Sequence, residues 1–166
     1  MKDLLKLAKE CENDLISIGI QPGTIIRWSV NTRAQKRWGQ CKNEGHGYYS
    51  INISARLLAD DVDDQAAKNT ILHELLHSVK GCKGHTGLWK ELATKVNYRL
   101  PQYTIKRTTS CDEKGIEPVV RVKTNRYAIC CVDCSHEYIR ERLTKIIQNP
   151  GRYRCGHCGG RLERVR

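Results

Sequence analysis

The sequence predicts an α+β protein made of a larger N-terminal domain and a small C-terminal one. Helix-like spacing of apolar residues alternates with short β-branched segments through the first hundred residues. Two groups of metal-binding residue types follow, histidines on a helical pattern and cysteines in two pairs. A chain of 166 residues can form one ordinary domain and a minidomain. We therefore expect domains at residues 1–101 and 119–166, joined by a polar linker at 102–118.

The first helix is predicted from Lys2 to about Ile18, where apolar residues recur at intervals of three and four. Gly19 and the turn at 21–23 end it. Residues 24–30 are β-branched and alternating, which indicates a strand. Two further strands, near 38–42 and 48–53, flank a glycine-rich turn and predict a hairpin, so we expect a small antiparallel sheet.

A second long helix is predicted after the acidic run at 60–64, because no Gly or Pro occurs from Asp63 to Lys80. Negative charge at that position suits the N-terminus of a helix, so the run is interpreted as a cap. A third helix is expected from Gly87 to Tyr98, and Pro101 ends it.

The second helix carries the pattern His73-Glu74-Leu75-Leu76-His77, which is the H-E-x-x-H signature of zinc peptidases. Residues four apart lie on one helix face, so His73 and His77 can bind one ion at about 2.0–2.1 Å. Gly81 breaks the helix and allows His85 to return as a third ligand. Glu74 is the predicted general base, because it can reach the attacking water without binding the metal. The alternative is a core helix with two surface histidines.

The cysteines of the tail predict a structural zinc site. Cys131 and Cys134 form one C-x-x-C pair, and Cys155 and Cys158 form another after twenty residues, which is the spacing of a zinc ribbon. Cys130 could replace Cys131, but only Cys131 keeps the two-residue gap. His136 and His157 are interpreted as exposed bystanders. The N-terminus lacks an apolar signal core, so nine cysteines favour metal ligands and free thiols over disulfides.

Charge predicts the kind of partner. The formal net charge is +11, and residues 101–166 hold 14 Lys and Arg against 7 Asp and Glu. The basic tail residues are interleaved with tyrosines, which favours DNA bound without sequence preference, single strands included. This set comprises Arg121, Lys123, Arg126, Arg140, Arg142, Lys145, Arg152 and Arg154, with Tyr127, Tyr138 and Tyr153. The alternative is a basic protein that contacts no nucleic acid.

No apolar run reaches the roughly 20 residues that a membrane span needs. Together with the missing signal core, this predicts an intracellular protein, which would be in the cytoplasm or nucleoid if the source is a prokaryote.

The combined pattern resembles the SprT-like (Spartan-related) metalloprotease family. The resemblance is carried by Trp28 with Asn31, Gly39-x-Cys41, the segment 51–54, the H-E-x-x-H motif, Gly84-His85 with Trp89, and the segment 154–160. The segment 37–41 also resembles a neighbouring zincin group with an R-W-G-S-C motif. The resemblance implies a minimal zincin-like fold, with His73, His77 and His85 as zinc ligands and Glu74 as the acid/base. In the Spartan branch it further implies cleavage of proteins crosslinked to DNA.

Two functions are consistent with the sequence. The first is zinc-dependent proteolysis of DNA-bound or DNA-crosslinked proteins, and an intact Glu74 favours it. The second is a non-catalytic, basic module with two zinc ions that binds nucleic acid.

For the enzyme, the strand at 48–53 is a candidate to pair with the substrate backbone, the alternative being an ordinary sheet strand. Cys82 is expected to face away from the metal; the alternative is an inhibitory zinc ligand.

Overall fold

The chain contains helices and short strands that form two separate small sheets, and the predicted α+β class is confirmed. The computed structural model describes residues 1–82, 84–119 and 126–166. The chain divides into two compact units, Met1–Val119 and Val120–Arg166. Within the described ranges, every helix is too short or too polar to cross a bilayer.

The first unit contains three α-helices and a three-stranded sheet. Side-chain caps fix two helix starts: Asp3 accepts hydrogen bonds from the amides of Leu5 and Lys6, and Asp63 accepts one from Gln65. The predicted acidic cap is thereby confirmed. The elements are α1 (Leu4–Ser17), β1 (Thr24–Asn31), β2 (Gly39–Gly45), β3 (Tyr48–Ser54), α2 (Asp64–Ser78) and α3 (Leu88–Arg99), with 3₁₀ turns at Ala55–Leu58 and Asp112–Lys114.

The sheet has the order β1-β3-β2. The predicted hairpin is confirmed, since β2 and β3 are antiparallel, but β1 runs parallel to β3 and the sheet is mixed. Alternation along a strand carries no information on the direction of its neighbour, so the sequence could not predict this pairing. Both edges of β3 are occupied, and the hypothesis that residues 48–53 receive a substrate strand is therefore wrong. The strand beside α2 at the edge of the sheet is β2.

Helix α2 lies at the centre of the unit and contacts α1, α3, β2 and β3. It is buried on most of its surface, with Ile71, Leu72, Leu75 and Leu76 inaccessible to solvent. A helix surrounded in this way has apolar residues on several faces rather than one stripe. The core thus holds in place the helix that carries His73, Glu74 and His77.

The segment 102–118, predicted as a linker, is part of the first unit in the structure. Tyr103, Ile105 and Ile116 are buried in the main core. Side chains of the helices also bind its backbone: Asn69 Oδ1 accepts from the amide of Thr104, and Asn97 binds both the amide and the carbonyl of Ile105. These contacts join the segment to side chains of α2 and α3, so its own composition did not reveal them.

The second unit contains the antiparallel sheet β5-β4-β6 over a small core. Its elements are β4 (Tyr127–Cys131), β5 (Glu137–Arg140), α4 (Lys145–Gln148), a 3₁₀ turn (Pro150–Arg152) and β6 (Leu162–Arg164). Ile129, Ile147 and Leu162 form the core with Cys131 and Cys155. Of the strand pattern expected at 119–122, residues 120–122 lie outside the described residues, as do Arg121 and Lys123 of the basic set.

Candidate active site and metal centres

Three histidines converge at one end of α2. His73 and His77 project from the helix, and His85 comes from the loop before α3. The Nε2 atom of His85 lies 3.1 Å from Nε2 of His77 and 2.9 Å from Nε2 of His73. Nitrogens that share one tetrahedral zinc ion at about 2.0–2.1 Å are about 3.3 Å apart. The spacing of the three imidazoles therefore fits a single zinc ion.

The protonation of these rings also fits a metal. His73 Nδ1 lies 2.9 Å from the carbonyl oxygen of Lys106, which can accept its hydrogen, so that Nε2 is left as a free lone pair. Burial, with the neighbouring histidines, lowers the pKa of His73 and of His77 to about 4. Burial and then the charge of Arg107 lower the pKa of His85. Neutral imidazole is the form that binds metals. Three nitrogen lone pairs that face each other repel unless a cation lies between them, so this arrangement suits a bound metal ion.

Trp89 supports the histidines from behind. Its side chain is buried, with 3% of the residue exposed. The indole stacks on the ring of His77 at a centroid distance of 5.5 Å and meets the rings of His73 and His85 edge-on, each at 4.8 Å. This packing limits rotation of the three imidazoles and keeps their Nε2 atoms together.

Glu74 lies beside this group and is 6% exposed. Burial raises the pKa of its carboxyl to about 7, against the lowering effects of a hydrogen bond from the backbone of Cys41 and of the charge of Arg37. A carboxyl with a pKa near neutrality can both accept and return a proton at physiological pH. The side chain fits because position 39 is glycine: a Cβ there would lie 2.6 Å from Glu74 Oε1.

A groove of about 610 Å³ contains Glu74 and the three histidines. One wall is formed by β2 and the residues before it, and the other by the segment 104–109. Trp38 Nε1 joins the walls by donating to the carbonyl oxygen of Thr109 over 3.2 Å. The described lining has one carboxylate, Glu74, and five cationic residues, Lys36, Arg37, Lys106, Arg107 and Lys114.

Sequence reasoning missed the residues of the second wall. Lys106 and Arg107 lie in the segment interpreted as a linker, and their place beside the histidines follows from long-range hydrogen bonds. The H-E-x-x-H motif concerns residues of α2 alone and does not predict which other residues surround the histidines.

Cys82 is among the residues that line the same groove. Its sulfur is not part of the group of converging histidine nitrogens, so the structure gives no support to the alternative of an inhibitory zinc ligand. Burial raises the pKa of its thiol above the ordinary value, which disfavours the thiolate that binds metals.

The second unit brings together the four predicted cysteines. The sulfur atoms of Cys131, Cys134, Cys155 and Cys158 all lie within 4.8 Å of one another. The Sγ atoms of Cys131 and Cys158 are 3.4 Å apart, and those of Cys134 and Cys155 are 3.7 Å apart. Zn–S bonds of about 2.3 Å place tetrahedral sulfurs about 3.8 Å apart, so the cluster is compatible with zinc.

Cys130 does not belong to this cluster. Its sulfur lies 3.5 Å from the carbonyl oxygen of Cys131, and its side chain is on the other face of β4. The prediction that Cys131 rather than Cys130 joins the cluster, which rested on the gap of two residues before Cys134, therefore agrees with the structure.

Tyr138 contacts the cluster through its hydroxyl group, a feature that sequence reasoning missed. The oxygen lies 3.3 Å from Cys155 Sγ and accepts a hydrogen bond of 3.0 Å from the amide of Gly156. The hydrogen bond from Tyr138 lowers the pKa of Cys155 to about 5, which favours the metal-binding thiolate. His136 and His157 are exposed, stack on each other at 5.5 Å and are outside the cysteine group.

The described part of the basic set is exposed on the second unit: Arg126, Arg140, Arg142, Lys145, Arg152 and Arg154. The three tyrosines differ in access. The hydroxyl of Tyr138 is engaged with Cys155, the Arg164 guanidinium covers the ring of Tyr127 at 5.5 Å, and Tyr153 is 38% exposed. Tyr153 is thus the most open of the three predicted stacking residues.

Comparison with known proteins agrees with this geometry. The model of the SprT-like family matches residues 4–109, which contain the three histidines and Glu74. The chain is also 41% identical over 39 residues to a Bacillus subtilis (strain 168) protein described as "Protein SprT-like". That match covers 24% of this chain and 23% of the Bacillus protein. The resemblance seen in the sequence is confirmed, and the chain belongs to the SprT-like family.

Proposed function

We propose that this chain is a zinc-dependent metallopeptidase, with a zincin-type catalytic unit in Met1–Val119 and a zinc ribbon in Val120–Arg166. The observation that carries the proposal is the convergence of three imidazoles beside a buried carboxyl in one groove. Burying an ionisable carboxyl is costly. A purely structural metal site needs the histidines but gains nothing from Glu74, so the arrangement favours catalysis over the non-catalytic alternative.

In this proposal His73, His77 and His85 hold the catalytic ion, and the four cysteines hold a structural one. Zinc at the histidine site supplies Lewis acidity, which polarises a peptide carbonyl and makes water acidic enough to attack near neutral pH. Glu74 accepts a proton from the attacking water while the water oxygen forms a bond to the carbonyl carbon. Glu74 then returns the proton to the amide nitrogen as the C–N bond breaks.

The substrate backbone pairs with β2 rather than β3. Residues Gly39, Gln40 and Cys41 of β2 line the groove next to Glu74, and β2 is the edge strand on that side of the sheet. An extended peptide can add to such an edge through main-chain hydrogen bonds. The segment 104–109 then faces the peptide from the opposite wall.

DNA is the proposed partner, and proteins bound or crosslinked to it are the proposed substrates. Nine arginines and lysines against four acidic residues occur in 126–166, and the six cations of the basic set there are exposed. Arginine binds phosphate with its planar fork, and Tyr153 offers a face for an unpaired base. No recognition helix is expected, so binding is predicted to depend on the backbone rather than on base sequence.

The test is cleavage of one protein substrate in two forms, free and crosslinked to a single-stranded oligonucleotide. Zinc-loaded protein should cut both, with the crosslinked form cut faster at low salt, and chelated protein should cut neither. Equal rates for the two forms at every salt concentration would remove DNA from the proposal. Absence of zinc-dependent cleavage of either form would favour the non-catalytic module.

A further inference from the structure

A second pocket adjoins the catalytic groove. It has a volume of about 600 Å³ and shares His85 and Arg107 with the groove. Its walls include three buried side chains, Trp89, Ala93 and Ile105. A peptide bound beside the histidines could therefore place one of its side chains in this pocket.

The neutral polar groups of this pocket are largely engaged within the protein. Asn97 Nδ2 donates to the carbonyl oxygen of Ile105 at 3.0 Å, and its Oδ1 accepts from the amide of Ile105 at 2.6 Å. Thr94 Oγ1 donates to the carbonyl oxygen of Lys90 at 2.9 Å. These contacts leave the two cations, Lys90 and Arg107, as the main groups available to a ligand.

Among the residues that the structure describes, neither cation forms an ion pair with an acidic side chain. The described lining of the pocket also contains no Asp or Glu. Both cations line the pocket together with its apolar wall, and each attracts an anion. A carboxylate on a short methylene chain matches both features.

The backbone that carries Arg107 is held in place. Ile105 is bound by Asn97, and the carbonyl oxygen of Lys106 accepts from His73, a proposed zinc ligand. The position of Arg107 is thereby tied to that of the proposed catalytic ion. A group held by Arg107 would be fixed relative to the scissile bond.

We propose that this pocket binds an acidic side chain of the protein substrate, with Arg107 binding the carboxylate and Lys90 adding a second positive charge. The inference rests on the proposed peptidase function and names its side-chain preference. Arginine suits the role because its fork can donate two parallel hydrogen bonds to a carboxylate. Phosphate could use the same fork, but Trp89, Ala93 and Ile105 match the methylenes of Glu better than a nucleic-acid backbone.

The experiment profiles the cleavage sites in a proteome-derived peptide library. Wild type should enrich Asp and Glu at one position relative to the scissile bond, and Arg107→Gln should reduce that enrichment about fivefold, the scale of a partly exposed ion pair. Arg99→Gln is the matched control, because Arg99 is an exposed arginine that lines neither cavity. Absence of acidic enrichment, or equal enrichment in Arg107→Gln, would overturn the inference. Library cleavage that persists unchanged in Glu74→Gln would count against the proposed function instead.

A binding measurement decides the inference independently of cleavage. An acetylated alanine-rich peptide with one Glu, and its Gln counterpart, are titrated into zinc-loaded Glu74→Gln protein while the indole N–H signals are followed by NMR. Trp89 lines the pocket, Trp38 lines the groove, and Trp28 lines neither cavity. The Glu peptide should shift Trp89 with about fivefold higher affinity than the Gln peptide, and the difference should vanish on adding Arg107→Gln. Equal affinities for the Glu and Gln peptides would overturn the inference. So would a shift of the Trp89 indole signal by an oligo-dT strand but not by the Glu peptide.

Discussion

Gly39 and Glu74 form the closest fit in the candidate active site. Because a Cβ at position 39 would lie 2.6 Å from Oε1 and 2.7 Å from Cγ of Glu74, Gly39→Ala must displace this carboxyl. We expect kcat/KM for peptide cleavage to fall about 100-fold, the cost of roughly 1 Å of misplacement, while the histidine zinc is retained. Gly151→Ala is the control, since its Cβ meets nothing within 4 Å. Full activity in Gly39→Ala would mean that Glu74 is free to move without consequence.

Tyr138 gives a second prediction for a single residue. Tyr138→Phe removes the hydroxyl that contacts Cys155 Sγ and the amide of Gly156. We expect the cysteine site to lose about 10- to 100-fold in zinc affinity, as is usual for the partners of metal ligands. The measurement is zinc competition with a chromogenic chelator in a His73→Ala background, where only the cysteine site should be loaded. Tyr153→Phe, an exposed tyrosine, should match the parent, and an unchanged affinity in Tyr138→Phe would show that the hydroxyl is dispensable.

At the scale of elements, the segment 102–118 is held partly by a buried lysine. Lys114 is 6% exposed, and its Nζ donates to the carbonyl oxygen of Ala66 at 2.9 Å and to Thr70 Oγ1 at 2.8 Å. Burial lowers its pKa from 10.5 to about 8. Between these two values the unfolded chain binds more protons than the folded one, so the contribution of Lys114 to stability rises with pH across this window.

Replacing this lysine should therefore change stability in a pH-dependent way. Because it removes a buried charge, Lys114→Met should raise the free energy of unfolding at pH 7 by up to about 3 kcal/mol. The loss of the two hydrogen bonds that Lys114 donates should offset part of this gain. The difference from wild type should shrink from pH 8 to pH 10.5, because wild type is then relieved of the buried charge. Urea unfolding at fixed zinc concentration measures it, with the exposed Lys95→Met as control. A difference that is constant with pH would show that Lys114 is not charged and buried at pH 7.

Elements with strong local patterns were predictable, and those defined by distant contacts were not. The helices α1, α2 and α3 follow from apolar spacing, caps and glycine or proline breaks. The position of β3 inside the sheet could not be predicted, because an edge strand and a central strand share the same alternation. Likewise, Tyr103, Ile105 and Ile116 are buried without a regular period, so their segment resembled a linker.

The site shows the same division. The i, i+4 spacing predicted His73 and His77, and the two-residue gap predicted Cys131 rather than Cys130. The structure brings each predicted histidine and cysteine set together. The contacts of Gly39 with Glu74 and of Tyr138 with Cys155 depend on tertiary packing, for which no sequence spacing gives a signal.

At the scale of the whole molecule, the second unit is expected to bind DNA through its exposed cations. If about six phosphates are neutralised, the logarithm of affinity should fall against the logarithm of salt concentration with a slope of about −4 to −5. Removing residues 119–166 should abolish most of this binding and leave the histidine zinc in place. Fluorescence anisotropy with oligonucleotides of several sequences at low salt is the measurement. No binding at micromolar protein would remove nucleic acid from the account and leave a general peptidase.

The most direct test of the central claim compares Glu74→Gln with wild type in peptidase activity and zinc content together. The amide is nearly isosteric with the carboxyl but cannot accept the proton of the attacking water. Glu91→Gln, an exposed glutamate on α3, is the matched control. We expect two zinc ions per chain in all three proteins, with cleavage in wild type and Glu91→Gln and none in Glu74→Gln. Undiminished cleavage by Glu74→Gln, or one zinc ion per chain in folded wild type, would contradict the account.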